Sequence, residues 1–189
     1  IALAASRRGI GFDDTEAVGE LAEGLARDGA VRLRSVDGVA RVELEGEDVS
    51  GFIRTPEMSQ GASKVSAAPR VRSALLEMQR AAGRVGGVVL EGRDIGSVVF
   101  PEAEVKVFLT ASVDERARRR LAELVRAGTA TDIEQVRGEV VERDRRDSTR
   151  PIAPLVQAKD AVVVDSSSVD VDAVVAAIVA LVEQAEKRP

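Results

Sequence analysis

One short segment of the chain combines an arginine and an aspartate between two glycines, a pattern that could bind a polar ligand. Residues 91–96 have the sequence EGRDIG and follow the apolar run 88–90, which predicts a strand buried on both faces. Ligands of open parallel sheets bind at the carboxyl ends of the strands. The guanidinium of Arg93 suits a phosphate or a carboxylate, and the carboxylate of Asp94 can accept hydrogen bonds. Glycines at both ends allow a sharp turn. An ordinary turn with a surface Arg–Asp pair is the alternative, and the pattern leaves both open.

A second segment, residues 142–151, is rich in arginine and has the sequence ERDRRDSTRP. Helical spacing puts Arg143, Arg146, Asp147 and Arg150 on one face. Positive charges outnumber negative ones there, which favours a bound anion among them. The proline that follows Arg150 favours an extended conformation for that residue. A solvated helix with ion pairs along its surface is the alternative.

Two further groups are weaker signals. Four arginines follow a predicted helix start at residues 112–115: Arg116, Arg118, Arg119 and Arg120. A solvated helix face is the preferred interpretation for most of them, although one could reach a bound triphosphate. Ser63 and Arg72 lie in a predicted helical region, and each would be a surface residue if taken alone.

The spacing of apolar residues predicts an α/β fold. Apolar runs at 88–90, 105–109 and 161–164 alternate with helical patterns, which is typical of a parallel sheet with helices on both faces. Residues 31–45 form a two-strand pattern around Asp37-Gly38, a strong hairpin signal. The charged stretch 112–147, interrupted near residue 128, predicts a helical hairpin.

Composition excludes several classes of function. The 189 residues contain no cysteine and no histidine, which excludes disulfides, Cys/His zinc sites and Ser-His-Asp triads. The net charge of −5 does not favour nucleic-acid binding. No apolar run is long enough to span a membrane. We therefore expect a cytoplasmic protein with neither nucleic-acid nor membrane partners.

Two long motifs resemble those of one enzyme family. Residues 91–101, EGRDIGSVVFP, resemble the DGRDIGTVVFP segment of bacterial cytidylate kinases, and residues 142–155 resemble that family's ERDxRDxxRxxAPL stretch. Residues 46–50, 53–55 and 105–121 are also similar to it. The departures Glu91 for Asp and Ser97 for Thr keep the chemistry.

The resemblance implies a P-loop kinase-like parallel sheet with helices on both faces, a monophosphate-binding insert and a helical lid. The implied boundaries are 1–10 core remnant, 11–84 monophosphate-binding subdomain with a β-hairpin, 85–118 core, 119–147 lid hairpin and 148–189 core. The implied reaction transfers a phosphoryl group from ATP to CMP or dCMP with Mg²⁺, in a monomer.

Recognition of the substrate base and sugar is implied at matching positions. Ser63, Arg72 and Asp94 would recognise cytosine, whose edge presents an amine and acceptors. Asp147 would hold the ribose hydroxyls, with help from Arg143.

Catalytic roles are implied for four arginines. Arg93 and Arg150 would bind the phosphate of CMP. Arg146 and one of residues 116–120, assigned as Arg120, would approach the transferring phosphoryl group from the lid. Phosphoryl transfer needs positioning and neutralisation of charge, and a lid can deliver such charge on closure.

The start of the chain departs from the family pattern. A P-loop has the motif GxxxxGK[ST], in which backbone amides and the lysine hold the phosphates, and the 189 residues contain no such motif. We expect that the first strand and the P-loop are absent by N-terminal truncation, and that the chain as given binds ATP poorly and is weakly active or inactive. A non-catalytic nucleotide-binding remnant and a UMP or AMP kinase are the alternatives.

Overall fold

The computed structural model describes residues 1–37, 39–84 and 86–187. It is a mixed α/β structure with two compact units, Ile1–Leu90 and Glu91–Pro189. Among the described residues, no helix has the length and apolar character needed to cross a membrane.

In its described residues, the first unit contains four α-helices and a small antiparallel sheet. Its elements in chain order are α1 (Ala2–Arg7), α2 (Thr15–Arg27), β1 (Val31–Val36), β2 (Val39–Leu44), β3 (Glu47–Asp48), a 3₁₀ turn (Phe52–Arg54), α3 (Pro56–Val65) and α4 (Pro69–Gly83). The sheet order is β1-β2-β3. Its core includes Val18, Met58 and Val71, from three of the helices.

Side-chain caps mark the starts of α2 and α3. The side chain of Asp14 accepts a hydrogen bond from the amide of Ala17 at 3.0 Å, as expected for an N-cap. Thr55 caps α3 in the same way, with its Oγ1 3.2 Å from the amide nitrogen of Met58. Both helices therefore begin where a side chain bonds to a free amide of the first turn.

The predicted hairpin is also confirmed. Strands β1 and β2 pair antiparallel, with Val31 opposite Leu44 and Val36 opposite Val39. Asp37 has a φ of 52°, in the left-handed region that Asp-Gly hairpin turns use. Gly38, the second residue of the predicted turn, lies outside the described residues.

Over residues 91–187, the second unit contains a parallel strand pair and three α-helices. In chain order it has a π turn (Ile95–Val99), β4 (Val107–Thr110), α5 (Val113–Arg126), α6 (Ile133–Thr149), β5 (Val162–Asp165) and α7 (Val171–Glu186). Strands β4 and β5 pair in parallel, with Val107 opposite Val162.

Helices α5 and α6 form the predicted helical hairpin. Ser112 caps α5, and its Oγ lies 3.2 Å from the amide nitrogen of Glu115. Asp132 caps α6. The two helices share a small buried cluster of Ala117, Leu124 and Val136. This contact explains why a stretch so rich in charge is helical on both sides of the loop near residue 128.

The prediction of three strands buried on both faces is wrong in two respects. Residues 88–90 join neither sheet of the described residues, and the side chain of Val89 is 90% exposed. Strands β4 and β5 form where predicted, but Leu109 and Val163 are exposed. A continuous apolar run becomes buried on both faces only where other layers cover both faces, and the exposure of Val89, Leu109 and Val163 shows that these side chains are not covered.

Candidate functional site

The EGRDIG segment forms a loop that leads into a π turn. The backbone carbonyl of Asp94 accepts hydrogen bonds from the amides of Val98 and Val99, at 2.9 and 3.2 Å, and the amide of Phe100 donates to the carbonyl of Ile95 at 2.7 Å. Single π turns occur often at functional sites. These bonds hold Asp94, whose side chain is buried, at the start of a compact turn.

The structure gives the two glycines of this loop a different role from the predicted one. Within the described residues, neither Gly92 nor Gly96 is among those with a positive φ. A Cβ at Gly92 would lie 2.8 Å from Cγ1 of Ile95, whereas a Cβ at Gly96 would lie 3.4 Å from Cδ of Lys106. Gly92 is therefore required by the close approach of Ile95 rather than by the backbone conformation.

The arginine-rich segment forms the end of α6. Arg143, Arg146 and Asp147 lie in its last turns, and the helix ends at Thr149. Arg150 has an extended backbone, with φ −63° and ψ 142°, as the following proline predicts. Its Nε donates a hydrogen bond to the carbonyl of Ala153 at 2.6 Å, which holds the side chain after the helix ends.

Two ion pairs connect the EGRDIG loop to the end of α6. Nε of Arg93 donates a hydrogen bond to Oδ2 of Asp147 at 3.0 Å, and Nη2 of Arg150 lies 3.8 Å from Oδ1 of Asp94. The side chains of Asp147, Arg150 and Asp94 are 4%, 4% and 8% exposed. The segments that sequence motifs identified separately therefore form one cluster within the second unit.

Further arginines surround these pairs. Nε of Arg143 lies 3.7 Å from Oδ2 of Asp147, the carboxylate oxygen that also accepts from Arg93. Burial, together with the neighbouring positive charges of Arg93 and Arg120, lowers the pKa of Arg143. Positive charge is thus concentrated at this point of the unit. Arg146 lies farther along α6, with its Nη2 3.8 Å from Oε1 of Glu142.

The arginines at the start of α5 differ from one another. Arg116 makes a bidentate pair with Asp144, at 2.8 and 2.6 Å, and its Nε donates to the carbonyl of Ala111. Arg118 pairs with Glu115 on the same helix. Arg120 donates to Glu123 at 3.0 Å. The Arg116–Asp144 pair joins the two helices of the hairpin, a role that the sequence analysis did not identify.

In the first unit, Ser63 and Arg72 lie close together through a third residue. Ser63 is buried on α3. Nη1 of Arg72, on α4, donates to the carbonyl of Ser66 at 3.3 Å, and the hydroxyl of Ser66 donates to the carbonyl of Ser63 at 3.0 Å. Ser66 was not singled out from the sequence, because a serine at a helix end has many structural uses.

Comparison with known proteins identifies the family. The family model described as cytidylate kinase matches residues 1–184. The chain belongs to the cytidylate kinase family. It is 49% identical over 175 residues to the cytidylate kinase of Klebsiella pneumoniae strain 342, covering 93% of this chain and 75% of that protein.

Two other relatives show the same extent of similarity. The cytidylate kinase of Geobacter sp. strain M21 is 51% identical over 178 residues, covering 92% of this chain and 73% of that protein. That of Syntrophotalea carbinolica is 46% identical over 187 residues, covering 99% of this chain and 78% of that protein. The family predicted from the EGRDIG and ERDRRD motifs is therefore confirmed.

Proposed function

We propose that this chain acts in the transfer of a phosphoryl group from ATP to CMP or dCMP. We also propose that the cluster formed by the EGRDIG loop and the end of α6 binds the nucleoside monophosphate. The observation that carries this proposal is the arrangement of Arg93, Arg143 and Arg150 around the buried carboxylates of Asp94 and Asp147. Its position at the family motifs supports the assignment to the acceptor nucleotide.

The charge balance of this cluster favours an anionic ligand. Three guanidiniums face two carboxylates in the contacts described above, and burial, followed by the like charges of Arg93 and Arg120, lowers the pKa of Arg143. A phosphate dianion beside these guanidiniums would relieve the repulsion and accept charge-assisted hydrogen bonds. Arg93 and Arg150 are the proposed phosphate ligands, because a planar guanidinium matches two phosphate oxygens.

The two aspartates supply the hydrogen-bond acceptors that a nucleoside needs. An ionised carboxylate accepts hydrogen bonds and donates none, so Asp94 suits the exocyclic amine of cytosine and Asp147 suits ribose hydroxyls. Arg143 would support Asp147 from the preceding helical turn. The existing pairs hold both carboxylates in place before a ligand arrives, which lowers the entropy cost of binding.

Ser63 and Arg72 are proposed to contact the cytosine edge. The Ser66 link holds the two residues together within the first unit. A hydroxyl and a guanidinium supply donors for the ring acceptors of cytosine.

Arg146 and Arg120 are proposed to neutralise the phosphoryl group during transfer. Both lie on the α5–α6 hairpin, and each has an acidic neighbour on its own helix. Catalysis of phosphoryl transfer must stabilise the negative charge that is spread over the equatorial oxygens of the transferred group. Glu123 and Glu142 are 57% and 49% exposed, so a phosphoryl group can replace these partners at little cost in desolvation.

ATP is the proposed phosphate donor, with Mg²⁺ bound to it. None of the 189 residues is assigned to a P-loop, because the chain contains no GxxxxGK[ST] motif. The described residues also contain no group of three or more side chains suited to hold a metal ion. No residue of the chain is therefore assigned to Mg²⁺.

Calorimetric titration of the chain with CMP, and with UMP and AMP as controls, tests this proposal. We expect selective binding of CMP, and we expect Asp94→Ala to abolish that selectivity. Arg143→Ala should weaken binding, whereas Arg145→Ala should not, since Arg145 on the same helix pairs with Glu142 and its side chain is 65% exposed.

Equal affinity for all three nucleotides would contradict the substrate assignment, and tighter binding of UMP or AMP would favour a kinase for that nucleotide. Circular dichroism of the same samples establishes that each variant is folded. A coupled assay for ADP production then separates catalysis from nucleotide binding alone, which is the expected behaviour of a non-catalytic remnant.

A further inference from the structure

Lys106 is a charged residue in an otherwise apolar segment, VKVFL at residues 105–109. Its side chain is only 8% exposed. A buried ammonium is costly unless several acceptors satisfy it. The contacts of Lys106 therefore need an explanation beyond those of a surface lysine.

The ammonium group of Lys106 joins two separate segments. Nζ donates to Oδ1 and Oδ2 of Asp160 at 2.9 and 2.8 Å and also to the backbone carbonyl of Pro101. The aliphatic stem lies beside Gly96, where a Cβ would be 3.4 Å from Cδ of the lysine. The hydrogen bond from Lys106 lowers the pKa of Asp160, which keeps that carboxylate ionised.

These contacts connect the strand pair to the EGRDIG loop. Pro101 directly follows the π turn that continues the EGRDIG loop. In this turn the amide of Phe100 donates to the carbonyl of Ile95, and the amide of Val99 donates to the carbonyl of Asp94. The backbone of Lys106 is itself fixed, because its carbonyl accepts from the amide of Val162 at 2.9 Å. If Pro101 moved, the hydrogen-bonded π turn would therefore shift Asp94 as well.

We propose that Lys106 is a positioning residue, which holds Arg93 and Asp94 in the geometry that binds the nucleoside monophosphate. Lys106 acts through its bond to Pro101 and through the π turn, and does not touch the ligand. This inference rests on the proposed function, since it requires Arg93 and Asp94 to contact CMP.

Three variants test the role by calorimetric titration with CMP. Lys106→Met keeps the aliphatic stem and removes the donors, and we expect affinity about tenfold weaker, because small misplacements of binding groups are costly. Lys187→Met, the same change at an exposed lysine after α7, should leave affinity unchanged. Asp160→Asn removes the ionic partner but not the Pro101 contact, and should have a smaller effect of the same sign.

Hydrogen exchange distinguishes positioning from general stability. Lys106→Met should accelerate exchange of the amides of Val98, Val99 and Phe100 under conditions where circular dichroism shows a folded protein. Unchanged CMP affinity in folded Lys106→Met, with weakened affinity in Arg93→Ala, would overturn the inference and leave the proposed function intact. Unchanged affinity in Arg93→Ala would overturn the proposed function and the inference with it. If Lys106→Met does not fold, the CMP affinity of Asp160→Asn tests the inference instead. Asp160 is 64% exposed, so its neutralisation should leave the fold intact. Unchanged affinity in Asp160→Asn would then overturn the inference.

Discussion

The buried pair of Asp94 and Arg150 should contribute measurably to the stability of the chain. Nη2 of Arg150 lies 3.8 Å from Oδ1 of Asp94, and the two side chains are 4% and 8% exposed. At 3.8 Å and an effective dielectric constant of about 20, Coulomb attraction between unit charges amounts to about 4 kcal/mol. Asp94→Asn removes this attraction but also removes the desolvation cost of the carboxylate, so we expect a net loss of about 2–3 kcal/mol.

A double-mutant cycle isolates this pair. The free energy of unfolding is measured by urea denaturation for the parent chain, Asp94→Asn, Arg150→Met and the double variant. Each single change leaves the other charge buried beside a neutral group, so the double variant should lose less than the sum of the two single losses, by about 1–2 kcal/mol.

An exposed pair provides the matched control. Arg137 and Asp114 are 2.8 Å apart, but their side chains are 49% and 78% exposed. Asp114→Asn should therefore cost much less stability than Asp94→Asn, because solvent screens an exposed pair. Strictly additive losses in the Asp94–Arg150 cycle, or an equal loss in the exposed control, would refute the reasoning from burial.

Three further predictions follow from other contacts. Hydrogen bonds from Arg118 and Arg119 lower the pKa of Glu115 to about 2 from 4.5. The carboxylate of Glu115 therefore stabilises the fold fully above pH 4.5, and this stabilisation is lost as the pH falls from 4.5 through 2. Glu115→Gln should reduce the pH dependence of the free energy of unfolding, measured by urea denaturation, in that window. Gly92→Ala should lower the melting temperature more than Gly96→Ala, because only the former meets a neighbour below 3 Å; equal melting temperatures would contradict this. Asp144→Asn should speed hydrogen exchange in the α5–α6 hairpin, because it weakens the bidentate pair with Arg116, and unchanged exchange would show that apolar packing alone holds the helices.

Much of the local structure follows from short segments of sequence. The starts of the capped helices are predictable, because Asp14, Thr55 and Ser112 each bond to an amide three residues later. The hairpin of β1 and β2 follows from alternation around Asp37. These interactions act within a few residues, so they do not depend on the rest of the fold.

The burial of the strands could not be predicted in the same way. The apolar run 88–90 has the composition of a buried strand, yet it is exposed and outside both sheets of the described residues. A strand requires partners for its amides and layers against its faces. Composition reports how apolar a segment is, but not what packs against it.

The sequence by itself determined the family, the starts of the capped helices and the two motifs that carry the candidate site, because each of these is encoded in consecutive residues. Only the tertiary structure decided which charges meet. The chain has 27 basic and 32 acidic residues, and Arg93 pairs with Asp147, which lies 54 positions away. Lys106 likewise reaches Asp160 across 54 positions. The choice among so many partners depends on distance and burial in the folded chain, which no local pattern specifies.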